Sequence, residues 1–406
     1  MDWVTSATLR QLRERRALDP ESVEQEARRL PEGLYARITA IQLRGWESGV
    51  GVPDLEHLET LAEIYVCPVG HFFLDQAPRS ELPFSFRGLS PGKEDRLSHA
   101  TRRALARVLE LADWMATLID EAGITWPVKV EPRADALKDV DAAVRAGRQR
   151  LSSGRTAAER AWRTADDAFA WWRGRIESLG IFCFQRKLET QDIRGASLWL
   201  PSGREPCPVI VVNRENAEAA TGRLFTLLHE YAHILTGGRA GGLACDFHGS
   251  GRGRNEEPLA NRFAAQMLLP RETLRGKLKE AGLTEPKDDW PDTKLDALRK
   301  PLFVSRDVVA IRLEEMGLAP KGFYARKRAD WDRQYAGRVG GGRGGKNPTK
   351  HERLFKQLGT SGLRVLSEAN LRGRLPVLDA AIMLDMKVEK VPAFLEWSQR
   401  LPAVVP

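Results

Sequence analysis

The feature that most constrains the fold is a helical segment at residues 224–235, Leu-Phe-Thr-Leu-Leu-His-Glu-Tyr-Ala-His-Ile-Leu. His229 and His233 are four residues apart, so a helix places both imidazoles on one face, close enough to share one Zn²⁺. Glu230 follows the first histidine and is placed to reach a water on that metal. The apolar positions require burial in a core. The pattern therefore predicts a buried metal-site helix with Glu230 as general base.

A catalytic zinc ion usually takes three protein ligands and leaves one position for water, so a third ligand is needed. The metzincin arrangement is excluded, because Thr236 and Arg239 stand where it requires glycine and histidine. The candidate is Glu257, at the start of a second helix predicted over 258–268. Glu256 is its nearest competitor. The alternative role for Glu257 is a first-turn charge that the helix dipole favours.

Two further side chains are candidates for the surroundings of this site. Asn261 lies four residues after Glu257, on the same helix face, and is predicted to hold the second ring nitrogen of a ligating histidine. His248 lies in a glycine-rich loop between the two helices. It is either a solvated loop residue or a side chain that overhangs the site and contacts substrate or the oxyanion. The chemistry expected of such a site is amide hydrolysis.

Three strand-like segments precede the histidine-bearing helix, at 180–185, 195–200 and 207–213. The last is an apolar run suited to a buried strand. The middle segment is either an edge strand to which an extended peptide could add, or an ordinary interior strand. Because the remaining pattern is helical, the predicted fold class is α+β, mostly α.

Helix-capping residues and a polar, proline-containing linker divide the chain into four predicted regions. Asp19, which precedes a proline, and Asp54 are expected to cap helices in an all-helical N-terminal part. A polar stretch with two prolines at 75–83 marks a boundary. The predicted regions are an N-terminal domain at 1–79, a helical connecting region at 80–159, a core with a small sheet at 160–275, and a helical C-terminal region at 276–406 with a Gly/Arg-rich loop at 337–345.

Composition excludes several classes of protein. The chain has 406 residues, of which 29% are charged and 42% hydrophobic, so it is not a disordered chain, a fibrous repeat or a disulfide miniprotein. It has no apolar run of ~20 residues and no signal-peptide pattern, so we expect no membrane partner and a cytoplasmic location. The four cysteines are scattered, as expected for reduced thiols.

The net charge of +8 permits a nucleic-acid or acidic-protein partner without requiring one. Much of the excess of positive over negative charge lies in residues 321–353, which hold ten Lys or Arg against three Asp or Glu. This basic segment is either a solvated flexible loop or a surface that captures an acidic partner.

The sequences at 208–213, 225–233 and 257–270 resemble those of the ImmA/IrrE family of zinc peptidases. The resemblance extends over about residues 160 to 400 and implies a zincin-like core with one Zn²⁺ per chain. It implies His229, His233 and Glu257 as metal ligands and Glu230 as the catalytic acid and base. It also implies a cytoplasmic enzyme whose protein substrate is a helix-turn-helix repressor, cleaved to relieve repression.

Residues 42–49 and 53–73 resemble the phage-repressor (XRE-like) helix-turn-helix, which implies DNA binding and transcription regulation. Residues 29–38 resemble an insertion in the turn before the third helix. Gln42 and Arg44 are the candidate DNA contacts.

The positions that usually read bases in such a module fall at Ala40, Ile41 and Gly45. None of these can make a bidentate contact to guanine or adenine. We therefore predict weak and poorly sequence-specific DNA binding by residues 1–79.

These observations favour a zinc-dependent endopeptidase of restricted specificity that acts on a regulatory protein in stress response or mobile-element control. One alternative is a non-proteolytic helix-turn-helix regulator whose zinc site is a sensor or a relic. Another is a component of a toxin–antitoxin or phage-defence system. Glu230 partly distinguishes the first two, because a relic of a catalytic site would be free to lose its general base.

Overall fold

The structure is a computed structural model that describes residues 4–16, 18–30, 33–76, 85–87, 98–152, 162–189, 193–201, 206–214, 220–237, 253–335 and 348–400. The chain divides into two compact units. The first comprises residues 1–82, 89–107 and 188–190, and the second comprises 83–88, 108–187 and 191–406.

Short helices dominate the first part of the chain. They are α1 (Ser6–Arg15), α2 (Pro20–Arg29), α3 (Ala40–Glu47), α4 (Leu55–Tyr65) and a 3₁₀ turn at Val69–Phe73. As predicted, Asp19 and Asp54 cap α2 and α4 with side-chain acceptors. A ten-residue connection at 30–39 separates α2 from α3.

A buried ion pair orients α3 in the first unit. Both guanidinium nitrogens Nε and Nη2 of Arg13 on α1 donate to the carboxylate of Glu47, each at 2.7 Å. Glu47 is buried, and a bidentate pair of this kind fixes direction as well as distance. Around it lies an apolar core that includes Leu43, Leu61 and Phe72.

The rest of the chain contains the sheet and the remaining helices. In chain order these are β1 (Ser85–Arg87), α5 (His99–Glu121), α6 (Val140–Ser152), α7 (Ala165–Glu177), β2 (Phe182–Arg186), β3 (Gly195–Leu200), β4 (Cys207–Asn213), α8 (Ala220–Thr236), α9 (Gly253–Leu268), α10 (Arg271–Glu280), α11 (Asp292–Arg299), a 3₁₀ turn (Lys300–Leu302), α12 (Arg306–Glu315), α13 (Phe323–Tyr335), α14 (Lys350–Leu371), α15 (Val377–Met383), a 3₁₀ turn (Val388–Lys390) and α16 (Val391–Gln399). The predicted fold class, α+β and mostly α, is confirmed.

The sheet has four strands in the order β1-β3-β4-β2. β3 runs antiparallel to β4, with Gly195 opposite Val212 and Leu200 opposite Cys207. β2 is parallel to β4, and β1 is antiparallel to β3. Every residue of β3 and β4 is buried, which accounts for the apolar run in β4.

Helix α8 packs on β3 and β4 and against α7 and α9. Its C-terminal end is held by Trp199 of β3, whose indole Nε1 donates to the carbonyl of Ile234 at 3.1 Å. That carbonyl is one of the four at the helix end that lack an intrahelical partner. The sheet therefore fixes both the position and the end of the helix that carries the two histidines.

Helix α14 contacts α7 at a kink. Gly359, at φ 73° and ψ −176°, interrupts the helix beside the buried ion pair between Arg173 and Glu177. A Cβ on Gly359 would lie 1.9 Å from Glu177 Oε1. The amide of Thr360 donates to Glu177 Oε2 at 2.9 Å, and Arg173 also donates to the carbonyl of Lys356. One buried carboxylate thus links α7 to α14.

Replacing Glu177 with alanine should destabilise the protein by about 3–5 kcal/mol, because it leaves the buried Arg173 without its counter-charge. Urea unfolding followed by circular dichroism measures the loss. The matched control is Glu272→Ala, which removes an exposed partner of Arg275 and should cost under about 1 kcal/mol. Equal urea midpoints for the two variants would contradict the claim that the Arg173–Glu177 pair stabilises the protein.

Two details of the fold differ from the sequence predictions. Helix α9 begins at Gly253 rather than at Pro258, which lies inside the helix. Proline is most common in the first turn of a helix, but a helix that is otherwise packed can accept the lost hydrogen bond. The edge position suggested for β3 is wrong along Gly195–Ser197, because β1 pairs there. Among the described residues, no helix is both long and apolar enough to cross a lipid bilayer.

Candidate metal centre

Helices α8 and α9 bring together three of the predicted site residues. His229 Nε2 lies 3.1 Å from His233 Nε2. The two oxygens of Glu257 approach one histidine each, with Oε2 at 3.2 Å from His229 Nε2 and Oε1 at 3.2 Å from His233 Nε2. One ligand atom from each residue lies within 4.8 Å of the others, so the cluster could hold a metal ion.

The helical spacing explains this geometry. Positions i and i+4 of α8 share a face, and that face is directed towards the first turns of α9. Both histidines are buried, whereas the side chain of Glu257 is 44% exposed. The cluster therefore has one open side through the carboxylate. Glu256, the competing ligand, is exposed and lies outside the cluster found among the described residues.

Asn261 occupies the position predicted for it. Its Oδ1 lies 3.0 Å from Nδ1 of His229 and accepts the proton of that nitrogen. A neutral His229 with its proton on Nδ1 would have the lone pair of Nε2 available for a metal ion. This outer contact also fixes the orientation of the ring.

The electrostatics of the cluster favour a cation. Burial acts to raise the pKa of Glu257, but hydrogen bonds with His229 and His233 outweigh it and hold the pKa of this carboxyl well below its usual range. Burial acts to lower the pKa of His233, but its hydrogen bond with Glu257 and the charges of Glu230 and Glu257 raise that pKa overall. The surroundings therefore stabilise the ionised carboxylate of Glu257 and a positive charge at the neighbouring His233.

Glu230 lies beside the cluster and is fully buried. The hydroxyl of Ser197, on β3, donates to Glu230 Oε2 at 2.7 Å. Ser197 is itself fully buried. A buried carboxylate that accepts a hydrogen bond from a strand residue is held in one orientation, as a general base must be.

Gly195, also on β3, allows Glu230 to approach the sheet. A Cβ at this position would lie 2.5 Å from the methyl carbon of Thr226 and 2.9 Å from Glu230 Oε1. Any side chain here would therefore displace the helix or the carboxylate. Sequence reasoning missed the contacts of Gly195 and Ser197 with Glu230. The available signal was a glycine within a strand pattern, which marks close backbone approach.

Gly195→Ala is expected to destabilise the protein by about 1–3 kcal/mol, because it overpacks a buried contact. The control is Gly276→Ala in α10, where nothing lies within 4 Å of the added Cβ. That change should stabilise the protein by about 0.5–1 kcal/mol. The melting temperatures of both variants test whether the two substitutions differ in their effect on stability. A Gly195→Ala protein as stable as the control would contradict the expected overpacking at Gly195.

Three other predicted candidates are not part of the cluster found among the described residues. His248 lies outside the described residues, as does the loop at 337–345. The side-chain oxygen of Gln42 accepts from the backbone nitrogen of Thr39 at 3.0 Å in a capping box. Arg44 forms an ion pair with Glu21 on α2. Both candidate DNA contacts therefore have partners within the first unit.

Comparison with curated proteins and with solved structures finds no match to the chain. A family match does exist for the part of the chain that holds the sheet strands β2–β4, the two metal-site helices α8 and α9, and most of α12. Residues 176–314 match Peptidase_M78, the IrrE N-terminal-like domain, and this match supports the ImmA/IrrE peptidase family and a metallopeptidase-type function.

Proposed function

We propose that this chain is a zinc-dependent endopeptidase of restricted specificity that hydrolyses a peptide bond in a regulatory protein, a helix-turn-helix repressor. The observation that carries the proposal is the convergence of His229, His233 and Glu257 beside a buried Glu230. Two imidazoles and one carboxylate are the protein ligands of one well-known class of catalytic zinc site.

The distances within the cluster fit zinc. Bonds of about 2.0–2.1 Å in a tetrahedral arrangement place neighbouring ligand atoms about 3.3 Å apart. The Nε2–Nε2 distance of 3.1 Å agrees with that spacing, and so does the 3.2 Å from each carboxylate oxygen to the histidine nearest to it. With one ligand atom from each residue, the three atoms all lie within 4.8 Å of one another. His229, His233 and Glu257 would hold the ion, and Asn261 would orient the first of them.

The residues of the chain then divide the chemistry between them. Zinc bound here supplies Lewis acidity for the attacking water and for the scissile carbonyl. Glu230 takes a proton from the water at its carboxylate and delivers it to the leaving amine nitrogen. Ser197 keeps that carboxylate in place through its hydrogen bond. Burial of the histidines and Glu230 limits solvent around the reacting atoms.

The substrate class and the location are part of the same proposal. The match at residues 176–314 supports a peptidase, and the resemblance of residues 42–49 and 53–73 to repressor modules supports a role in transcription control. Cleavage of a repressor by such an enzyme would take place in the cytoplasm. The sensor hypothesis is weaker, because the structure gives Glu230 a dedicated hydrogen-bond donor in Ser197.

DNA binding by residues 1–79 is expected to be weak and poorly sequence-specific. Gln42 and Arg44 would have to give up their present partners to contact bases, while Ile41 is 81% exposed but apolar. A titration of the full chain with its own promoter and with a scrambled duplex at physiological salt measures this. A preference above ~1,000-fold would contradict the expectation.

The proposal is tested by incubating the zinc-loaded chain with the repressor encoded beside it and measuring the masses of the products. We expect two fragments whose summed mass exceeds that of the intact repressor by one water. A chain that binds zinc and leaves the repressor intact would instead favour the sensor alternative.

A further inference from the structure

The strand β1 occupies an edge of the sheet next to the candidate site. Its three residues pair antiparallel with β3, with Ser85 opposite Ser197, Phe86 opposite Ala196 and Arg87 opposite Gly195. On its other side β3 pairs with β4. Along these three residues the backbone of β3 therefore has a strand on both sides.

The part of β3 that β1 covers is also the part that contacts Glu230. Ser197 donates to the carboxylate of Glu230, and Gly195 lies against the same side chain. β1 also contacts α8, the helix that carries Glu230 and the two histidines. The backbone of β1 thus runs along the strand nearest to the proposed general base.

An extended peptide that presents a bond to Glu230 needs a row of backbone donors and acceptors to hold it. The outer edge of β3 is such a row, and addition of a strand to a sheet edge is a common mode of peptide binding. One edge accepts one strand. A peptide in this position and β1 therefore compete for the same backbone groups.

We propose that Ser85–Arg87 is an autoinhibitory strand, and that a peptide substrate binds as an extended strand along Gly195–Ser197 after displacing it. This proposal rests on the peptidase function proposed above. A strand of three residues is short for a sheet and makes few backbone hydrogen bonds, so an incoming segment with a longer match can replace it.

The test uses the full chain with Glu230→Gln, so that bound peptide is not hydrolysed, and a fluorescein-labelled peptide with the sequence of residues 83–88, Pro-Phe-Ser-Phe-Arg-Gly. Ser85→Pro combined with Phe86→Pro should prevent β1 from pairing with β3 and so leave the edge of β3 open. Successive residues of a strand alternate in direction, so one of the two prolines must remove an N–H directed at β3.

Fluorescence anisotropy should show that the double-proline variant binds the peptide about tenfold more tightly than the chain with its natural β1. That ratio follows if the tethered strand has an effective concentration of about 1 mM and the free peptide a Kd of about 0.1 mM. The matched control, Arg79→Pro with Ser80→Pro, places two prolines in the same linker outside β1 and should not change the affinity.

A disulfide gives an independent test that does not weaken the sheet. Phe86→Cys with Ala196→Cys joins two paired positions, whose Cα separation in an antiparallel pair suits a disulfide. The oxidised protein should not bind the peptide, and reduction should restore the affinity of the chain with its natural β1. Phe86→Cys alone should show no response to oxidation.

Equal affinities of the double-proline variant and the natural strand, with both proteins folded, would overturn the proposal. So would peptide binding by the oxidised disulfide variant. These results are independent of the catalytic proposal, because binding is measured without hydrolysis. A chain that shows the expected binding pattern but cleaves nothing when Glu230 is restored would overturn the peptidase function and leave the strand exchange standing.

Discussion

Replacing Glu230 with glutamine is expected to reduce cleavage of the repressor by about 10²–10⁴-fold, the usual contribution of a general base. Glutamine has nearly the same shape and can still accept the hydrogen bond from Ser197. It cannot take a proton from the attacking water. Since Glu230 is outside the His229–His233–Glu257 cluster, the variant should keep its metal.

The rate is measured by mass analysis of the repressor fragments over time, and the metal content is measured on the same preparation. Glu256→Gln is the matched control, because Glu256 is an exposed carboxylate next to a ligand. The control should cleave at the rate of the natural chain. Undiminished cleavage by Glu230→Gln would remove this residue from the mechanism.

Local patterns in the sequence predict the elements that carry the site. The spacing of His229 and His233 and the surrounding apolar residues predict helix α8. The structure places this helix at Ala220–Thr236, so it contains the whole predicted segment 224–235 and is four residues longer at its N-terminal end. The limits of β3 and β4 agree with the predicted segments 195–200 and 207–213. These features depend on the periodicity of apolar residues within a single segment, and that periodicity can be read from the sequence alone.

Contacts between residues that are distant in the sequence were not predictable in the same way. The contact of Ser197 with Glu230 joins residues 33 apart in sequence, and nothing in either segment specifies the partner. The pairing of β1 with β3 is another case, because three residues are too few to give a strand pattern. Gly195 did carry a signal, but a glycine in a strand indicates close approach without identifying what approaches.

Replacing Glu257 with alanine is expected to weaken zinc binding by orders of magnitude. The change removes one of the three ligands of the cluster and leaves two imidazoles, whereas a catalytic zinc ion usually takes three protein ligands. Thermal stability in the presence of zinc should fall as well, because a ligand that binds only the native state stabilises it by about 4 kcal/mol at 1,000 times its Kd. The difference in stability should disappear in a chelator.

The control for this variant is again one residue away. Glu256→Ala removes an exposed charge near the cluster without removing a ligand atom. It should lower zinc affinity only slightly, through the loss of a nearby negative charge. A comparison of the two variants therefore separates ligation from general electrostatic attraction.

The most direct test of the account is the zinc content per chain of the natural protein, Glu257→Ala and Glu256→Ala after dialysis against metal-free buffer, measured by elemental mass spectrometry. We expect about one zinc ion for the natural chain and for Glu256→Ala, and almost none for Glu257→Ala. A full equivalent of zinc in Glu257→Ala would contradict the assignment of Glu257 as the third metal ligand.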